Sequence, residues 1–152
     1  MNFKNLNLPA YPFKIKKDKD GEKIFDEIRK KYLVLTPEEW VRQNFIQYLV
    51  GHLGYPAGLM AIESGLKVHS MDKRSDLLIY DSAGNKCMLV ECKAPDVELN
   101  QKVFDQAARY NLVYKAPYII ITNGIMHYCV HVKFETGQFE FLNEIPVYSE
   151  IR

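Results

Sequence analysis

Arg74-Ser75-Asp76-Leu77-Leu78-Ile79-Tyr80, followed by Met88-Leu89-Val90-Glu91-Cys92-Lys93, is the stretch on which the fold turns. Both segments are apolar runs of strand length, and Gly84 and Asn85 supply a turn between them. A hairpin centred between Ala83 and Gly84 sets Leu77 against Val90 and Asp76 against Glu91, with Cβ atoms roughly 4.5–5.5 Å apart. Two carboxylates so placed destabilise a sheet unless a cation sits between them. Strand alternation puts Lys93 on the face of Glu91 and turns Val90 and Cys92 to the other. One sheet edge thus gathers two acids and an ammonium, a grouping suited to a hard cation beside a phosphate. The same residues also read as a surface ion-pair cluster with Lys93 or Arg74. A register slip of one residue would carry Asp76 to the opposite face.

Outward from this hairpin the other elements fall into place. Residues 59–69 read as a strand preceding it. Thr36-Pro37-Glu38-Glu39 opens a helix, with threonine as cap, proline at the first helical position and Glu39 completing a capping box. Val41, Phe45, Leu49 and Leu53 recur on one face of that helix, which ends at Gly54-Tyr55-Pro56. Residues 100–114 carry a second helical pattern. Tyr118-Ile119-Ile120-Ile121-Thr122 has the composition of a strand buried on both faces. Asn123-Gly124 is a turn, and 126–134 with 138–143 form a closing hairpin. Upstream, 11–17 and 22–28 form two strands around Asp18–Gly21, where Gly21 can adopt a positive φ. A central mixed sheet flanked by helices follows.

The length of 152 residues suits a single domain. It divides into an N-terminal hairpin extension (about 1–35), a core (about 36–125) and C-terminal strands (about 126–143). No apolar run reaches membrane-spanning length, and the first residues lack a signal-peptide core. Three cysteines without framework spacing suit a reducing cytoplasm. Net charge is only +1, yet residues 1–35 hold nine Lys/Arg against five acids. That excess reads either as a solvated face or as an edge contacting phosphates. Tyrosines and phenylalanines are numerous enough to stack bases, although Phe139 and Phe141 alternate as sheet-packing residues do. His127, Cys129 and His131 alternate onto one strand face, but no zinc-type spacing supports a metal there.

Several ordered motifs carry a resemblance. Asp76 with Glu91-Cys92-Lys93 looks like the PD-(D/E)XK nuclease superfamily. Leu35 to Gln43, Glu91 to Pro95, Gln106-Ala107-Ala108-Arg109-Tyr110 and Thr122-Asn123-Gly124 together resemble the amino-terminal nuclease domain of type I restriction enzyme R subunits, which shares a QxxxY motif with RecB-type nucleases. The similarity covers most of residues 11–125. It implies an α/β, restriction-endonuclease-like core with a central mixed β-sheet flanked by helices and an added C-terminal antiparallel hairpin. It further implies a Mg²⁺-dependent DNA endonuclease of the cytoplasm, with Mn²⁺ able to substitute. Asp76 and Glu91 would be the metal ligands, as Mg²⁺ favours oxygen and takes few protein carboxylates. Lys93 would position the attacking water and stabilise charge on phosphate. Gln106 and Tyr110 would stand beside the metal, Tyr110 against DNA. Glu39 competes with Glu38 as a further ligand from the first helix, with Glu63 a more distant candidate.

Lys14, Lys16, Lys17, Lys102 and Arg109 suit phosphates better than base edges, so binding is expected to be salt-sensitive and largely sequence-blind. Ser75 departs from the superfamily's proline, and no phosphate-binding loop accompanies the motifs. A nuclease without a motor implies a homodimer or separate motor and specificity subunits as partners. The competing readings are a DNA-binding or scaffold module that keeps the fold without cutting, and a structural protein.

Overall fold

Gly21 closes the first turn with φ +112°, in the left-handed region expected of it. It separates β1 (Ile15–Asp18) from β2 (Gly21–Asp26). The computed structural model describes residues 5–63, 67–68, 71–72 and 76–151. The N-terminal extension holds three strands rather than the two expected, because β3 (Lys31–Val34) pairs antiparallel with β2. Asp26 makes the intervening turn. Its buried carboxylate accepts the Ile28 and Arg29 backbone N–H groups and the Arg29 Nε–H at 2.7, 3.0 and 2.8 Å. Burial opposes its ionisation, but these donors prevail and hold its pKa below the ordinary carboxylate value.

Thr36 caps α1 (Pro37–Gly51), its Oγ1 accepting the Glu39 N–H at 3.0 Å. The reciprocal half of the expected capping box does not form. The Glu39 carboxylate instead accepts from Arg42 and Gln43, each at 2.9 Å, and the Thr36 N–H goes to the Val34 carbonyl. After α1, a single turn of 3₁₀ helix (Ala57–Leu59) leads into β4 (Met60–Glu63). The strand expected across 59–69 is therefore divided. β5 (Lys67–Val68) pairs with β6 (Met71–Asp72) as a separate ribbon, and the rest of that stretch, with Arg74 and Ser75, lies outside the described residues.

The main sheet adds β7 (Asp76–Tyr80), β8 (Lys86–Cys92), β9 (Tyr118–Thr122), β10 (His127–Lys133) and β11 (Gln138–Leu142). Its order is β11-β10-β9-β8-β7-β4, with β8 and β9 parallel and every other pair antiparallel. The parallel pair needs a crossover, which α2 (Gln101–Tyr114) provides. Asn100 caps it by accepting the Val103 N–H at 3.1 Å. Val41, Phe45 and Leu49 of α1 pack on Leu77, Ile79, Met88, Val90 and Cys92. Leu78 and Leu89 face α2 with Tyr110 and Tyr114. Each such fully buried side chain contributes roughly 1.5–3 kcal/mol. A short α3 (Tyr148–Ile151), not foreseen in the sequence, returns to the end of α1 through the Tyr148 N–H to the Leu53 carbonyl at 2.8 Å. No described helix is long and apolar enough to cross a membrane.

The turn at Asn123-Gly124 also anchors the N-terminal segment. Asn7 donates its N–H to the Gly124 carbonyl at 2.8 Å, and Leu6 lies over the glycine. Gly124 has φ +86°, and a Cβ built there would stand 2.7 Å from Leu6 Cδ2 and 3.1 Å from Val41 Cγ2. Gly124→Ala should therefore lose on the order of 2 kcal/mol, from backbone strain and overpacking together. Urea unfolding checks this, and adding Leu6→Ala should recover part of the loss, since Leu6 is the nearer obstacle.

Candidate functional site

Leu77↔Val90, Leu78↔Leu89 and Ile79↔Met88 pair as the hairpin reading requires, but Tyr80 pairs with Lys86. The turn is thus centred on Ala83, half a residue earlier than expected. Asp81 sets it, accepting the Ala83 and Asn85 N–H groups at 2.9 and 2.8 Å. Cys87 is then the extra residue of a β-bulge, which restores the expected register toward the site. The described ladder ends at Leu77↔Val90, one step short of position 76, the first of β7, and Glu91. The Asp76 and Glu63 side chains lie outside what the structure describes, although their backbones pair across β4 and β7.

Glu91 is 5% exposed near the end of β8. Lys93 follows the strand, held in line by its backbone N–H to the Thr122 carbonyl at 2.8 Å. Its Nζ stands 3.4 Å from Glu91 Oε1 and donates to Gln106 Oε1 at 3.5 Å. Gln106 reaches it from α2, so these three residues share the α2 face, opposite to Val90 and Cys92. The structure brings together Glu91, Lys93 and Gln106. Lys102 and Arg109 are exposed on the same helix.

Tyr110 is placed differently from expectation. It is 3% exposed and packs with Leu78, Leu89 and Tyr114, so its ring is part of the core beneath α2. Glu39 comes from the other helix. It belongs to α1, on the other sheet face, where Arg42 and Gln43 occupy its carboxylate and Arg29 Nη2 lies 3.7 Å away. Glu38 pairs with Arg42 at 2.9 Å. Arg42 and Gln43 stand at helical spacing from these glutamates, whereas Arg29 arrives from the extension and no spacing announces it.

The alternating His127, Cys129 and His131 do not form a metal centre. Among the described residues no group of three or more His, Cys, Asp or Glu could hold a metal. Burial pushes the Cys129 thiol up to about 12, and His131 stacks on Tyr118 at 4.8 Å between centroids. His127 Nε2 lies 3.1 Å from the Asn7 carbonyl, an acceptor only, so Nε2 carries the hydrogen. Nδ1 then accepts the Thr122 hydroxyl at 2.7 Å.

The mixed six-stranded sheet with helices packed on its faces is a restriction-endonuclease-like fold. The chain belongs to the family described as type I restriction enzyme R protein N terminus, which matches residues 37–146. Among solved structures it is similar to a fragment described as the HsdR subunit of a type I restriction enzyme from Vibrio vulnificus YJ016. That likeness has 19% identity and a TM-score of 0.53, covering 77% of this chain and 24% of that one. At that identity the likeness concerns the fold. A comparison with curated proteins gives no match.

Burial lowers the His127 pKa, and the Asn7 carbonyl only partly offsets this. The folded protein therefore favours neutral His127, and the unfolded chain binds the proton more readily. Stability should be undiminished above the unfolded value of about 6.5 and decline as the pH falls through it. Urea midpoints between about pH 7 and pH 5 test this, and His127→Gln should flatten that dependence.

Proposed function

We propose that this chain is a Mg²⁺-dependent nuclease domain that hydrolyses phosphodiester bonds in DNA. One observation carries the reading: Glu91, Lys93 and Gln106 converge on one sheet face in a chain of the R-protein N-terminal family. The donor set fits the metal. Glu91 offers hard carboxylate oxygens, Asp76 stands one ladder step beyond a described pair, and Mg²⁺ takes one or two carboxylates and keeps waters. Asp76 and Glu91 would hold the ion, with Mn²⁺ as a substitute. When bound, such an ion acidifies a water and polarises a phosphoryl oxygen.

The protein's own groups do the positioning. Lys93 Nζ is met at long range by two oxygens, Glu91 Oε1 at 3.4 Å and Gln106 Oε1 at 3.5 Å. An ammonium has three donors, which leaves one to meet a phosphate oxygen or align the attacking water. Gln106 acts through Lys93 and is a positioning residue. Lys102 and Arg109, exposed on α2, would contact flanking phosphates.

The related HsdR chain is far longer than the part matched. Motor and specificity subunits, or a second copy, are therefore the proposed partners for double-strand scission. A non-cleaving DNA-binding or scaffold role is the competing reading.

Nicking of supercoiled plasmid with Mg²⁺ or Mn²⁺, paired with calorimetric Mn²⁺ binding, tests the assignment. Lys93→Ala should keep metal binding and lose cleavage by about 100-fold or more, the scale of one lost electrostatic contact. Glu91→Ala should lose both. Cleavage by Glu91→Ala at the wild-type rate would overturn the site, and metal binding without cleavage by the wild type would favour the scaffold reading.

A further inference from the structure

The β1-β2-β3 sheet precedes the family-matched segment of 37–146 and takes no part in the site around Glu91. Its two faces differ in chemistry. Ile24 and Asp26, on one face, are fully buried. The register Lys16↔Lys23 and Phe25↔Tyr32 sets the other face, which carries lysines between aromatic rings. Lys14 Nζ lies 5.4 Å from the Phe25 centroid and Lys16 Nζ 4.2 Å from that of Tyr32. The two rings meet edge to face at 5.2 Å. Val34 beside them is 60% exposed, an apolar surface that a solvated charged face does not need.

At the rim of this sheet a cleft of about 400 Å³ opens against α1, lined by Pro12, Phe13, Lys14, Phe25, Glu27, Gln43 and Gln47. Phe13 packs edge to face on Trp40 at 5.3 Å, which fixes that wall. The Gln43 amide is committed to Glu39. Gln47 is the amide left to face a guest. Glu27 is paired with Lys30 at 3.4 Å, and the aromatic walls, one amide and a lysine at the rim match an unpaired nucleobase and its phosphate. Base-aromatic stacking needs no particular sequence, and lysines spaced along a strand follow a phosphate backbone. A duplex, with its bases stacked inward, cannot use the cleft.

We infer that the outer face of β1-β2-β3, with the Phe13–Phe25 cleft, binds single-stranded DNA, seating one unpaired base in the cleft and phosphates on Lys14 and Lys16. Only the preference for DNA over RNA rests on the proposed nuclease function. The strand binding stands apart from it.

Anisotropy of a fluorescent oligothymidylate in EDTA, over a salt series, measures this binding without cleavage. Lys14→Gln with Lys16→Gln, both on exposed positions, should weaken binding roughly tenfold. Two lost phosphate contacts should also make the log–log salt dependence shallower by about 1.4. Phe25→Leu should weaken binding roughly tenfold with the salt dependence unchanged, the scale of one lost stack. Binding read in EDTA needs neither metal nor cleavage, so a failed nuclease assay and a failed binding assay are distinguishable. Photocrosslinking of an iodouracil-substituted strand to the unmutated protein should map to Phe13, Phe25 or Tyr32, which removes dependence on the folding of Phe25→Leu. Unchanged affinity in the lysine variant, tighter binding of the matching duplex, crosslinks only on α2, or equal competition by polyglutamate would each overturn the inference.

Discussion

Everything in the main sheet depends on the pairing of β8 with both neighbours at once. It is antiparallel to β7 and parallel to β9, so two ladders fix its parity independently. Even-numbered Met88, Val90 and Cys92 go to α1, while Leu89, Glu91 and, past the strand end, Lys93 go to α2. A one-residue slip would bury Glu91 among the α1 contacts and expose Val90 to α2, so one wrong pairing would disturb both layers. β9 reinforces the choice because its own alternation divides the same way, Ile120 toward α1 and Ile119 and Ile121 toward α2. The reactive grouping inherits its geometry from this doubly paired strand.

Much of that was legible because it rests on short-range chemistry. Thr36-Pro37 announces a helix start, Asn123-Gly124 a left-handed turn, and the Tyr118–Thr122 run a doubly buried strand, each from residues adjacent in sequence. The hairpin register toward the site was legible for a partly accidental reason. Asp81 draws the turn half a residue off centre, and the Cys87 bulge cancels the shift before Ile79. Bulges are long-range accommodations of twist and packing, and nothing in Lys86-Cys87-Met88 declares one.

What stayed hidden depends on partners distant in sequence. β3 has three exposed residues of four and no apolar alternation, so only its ladder with β2 makes it a strand. α3 exists because Leu53 and Tyr55 offer it a place to dock: Tyr148 donates to the Leu53 carbonyl, and the Tyr55 hydroxyl donates to the Pro146 carbonyl at 2.6 Å. Glu39 reads as a capping-box residue until Arg29, arriving from the extension, joins its helix neighbours Arg42 and Gln43 at the carboxylate. Tyr110 reads as a polar-face residue until β7 and β8 cover its ring. In each case local propensity left two outcomes open, and a tertiary contact decided between them.

The two charged clusters flanking the sheet differ in a way that bears on their roles. Arg42 on the α1 side is 6% exposed and meets Glu38 and Glu39 at 2.9 Å each, a planar fork set against two fixed acceptors. Arg29 links this cluster to Asp26 and so ties the extension to the helix. Lys93 on the α2 side is 24% exposed and sits at 3.4 and 3.5 Å from its two oxygens. Separations that long lie beyond the usual range of charge-assisted hydrogen bonds, so little holds the ammonium to one orientation. A purely structural ion pair gains by closing to the Arg42 geometry. A cation proposed to meet an incoming phosphate gains by keeping a donor uncommitted, and a compact, rotatable ammonium does that where a guanidinium fork would not.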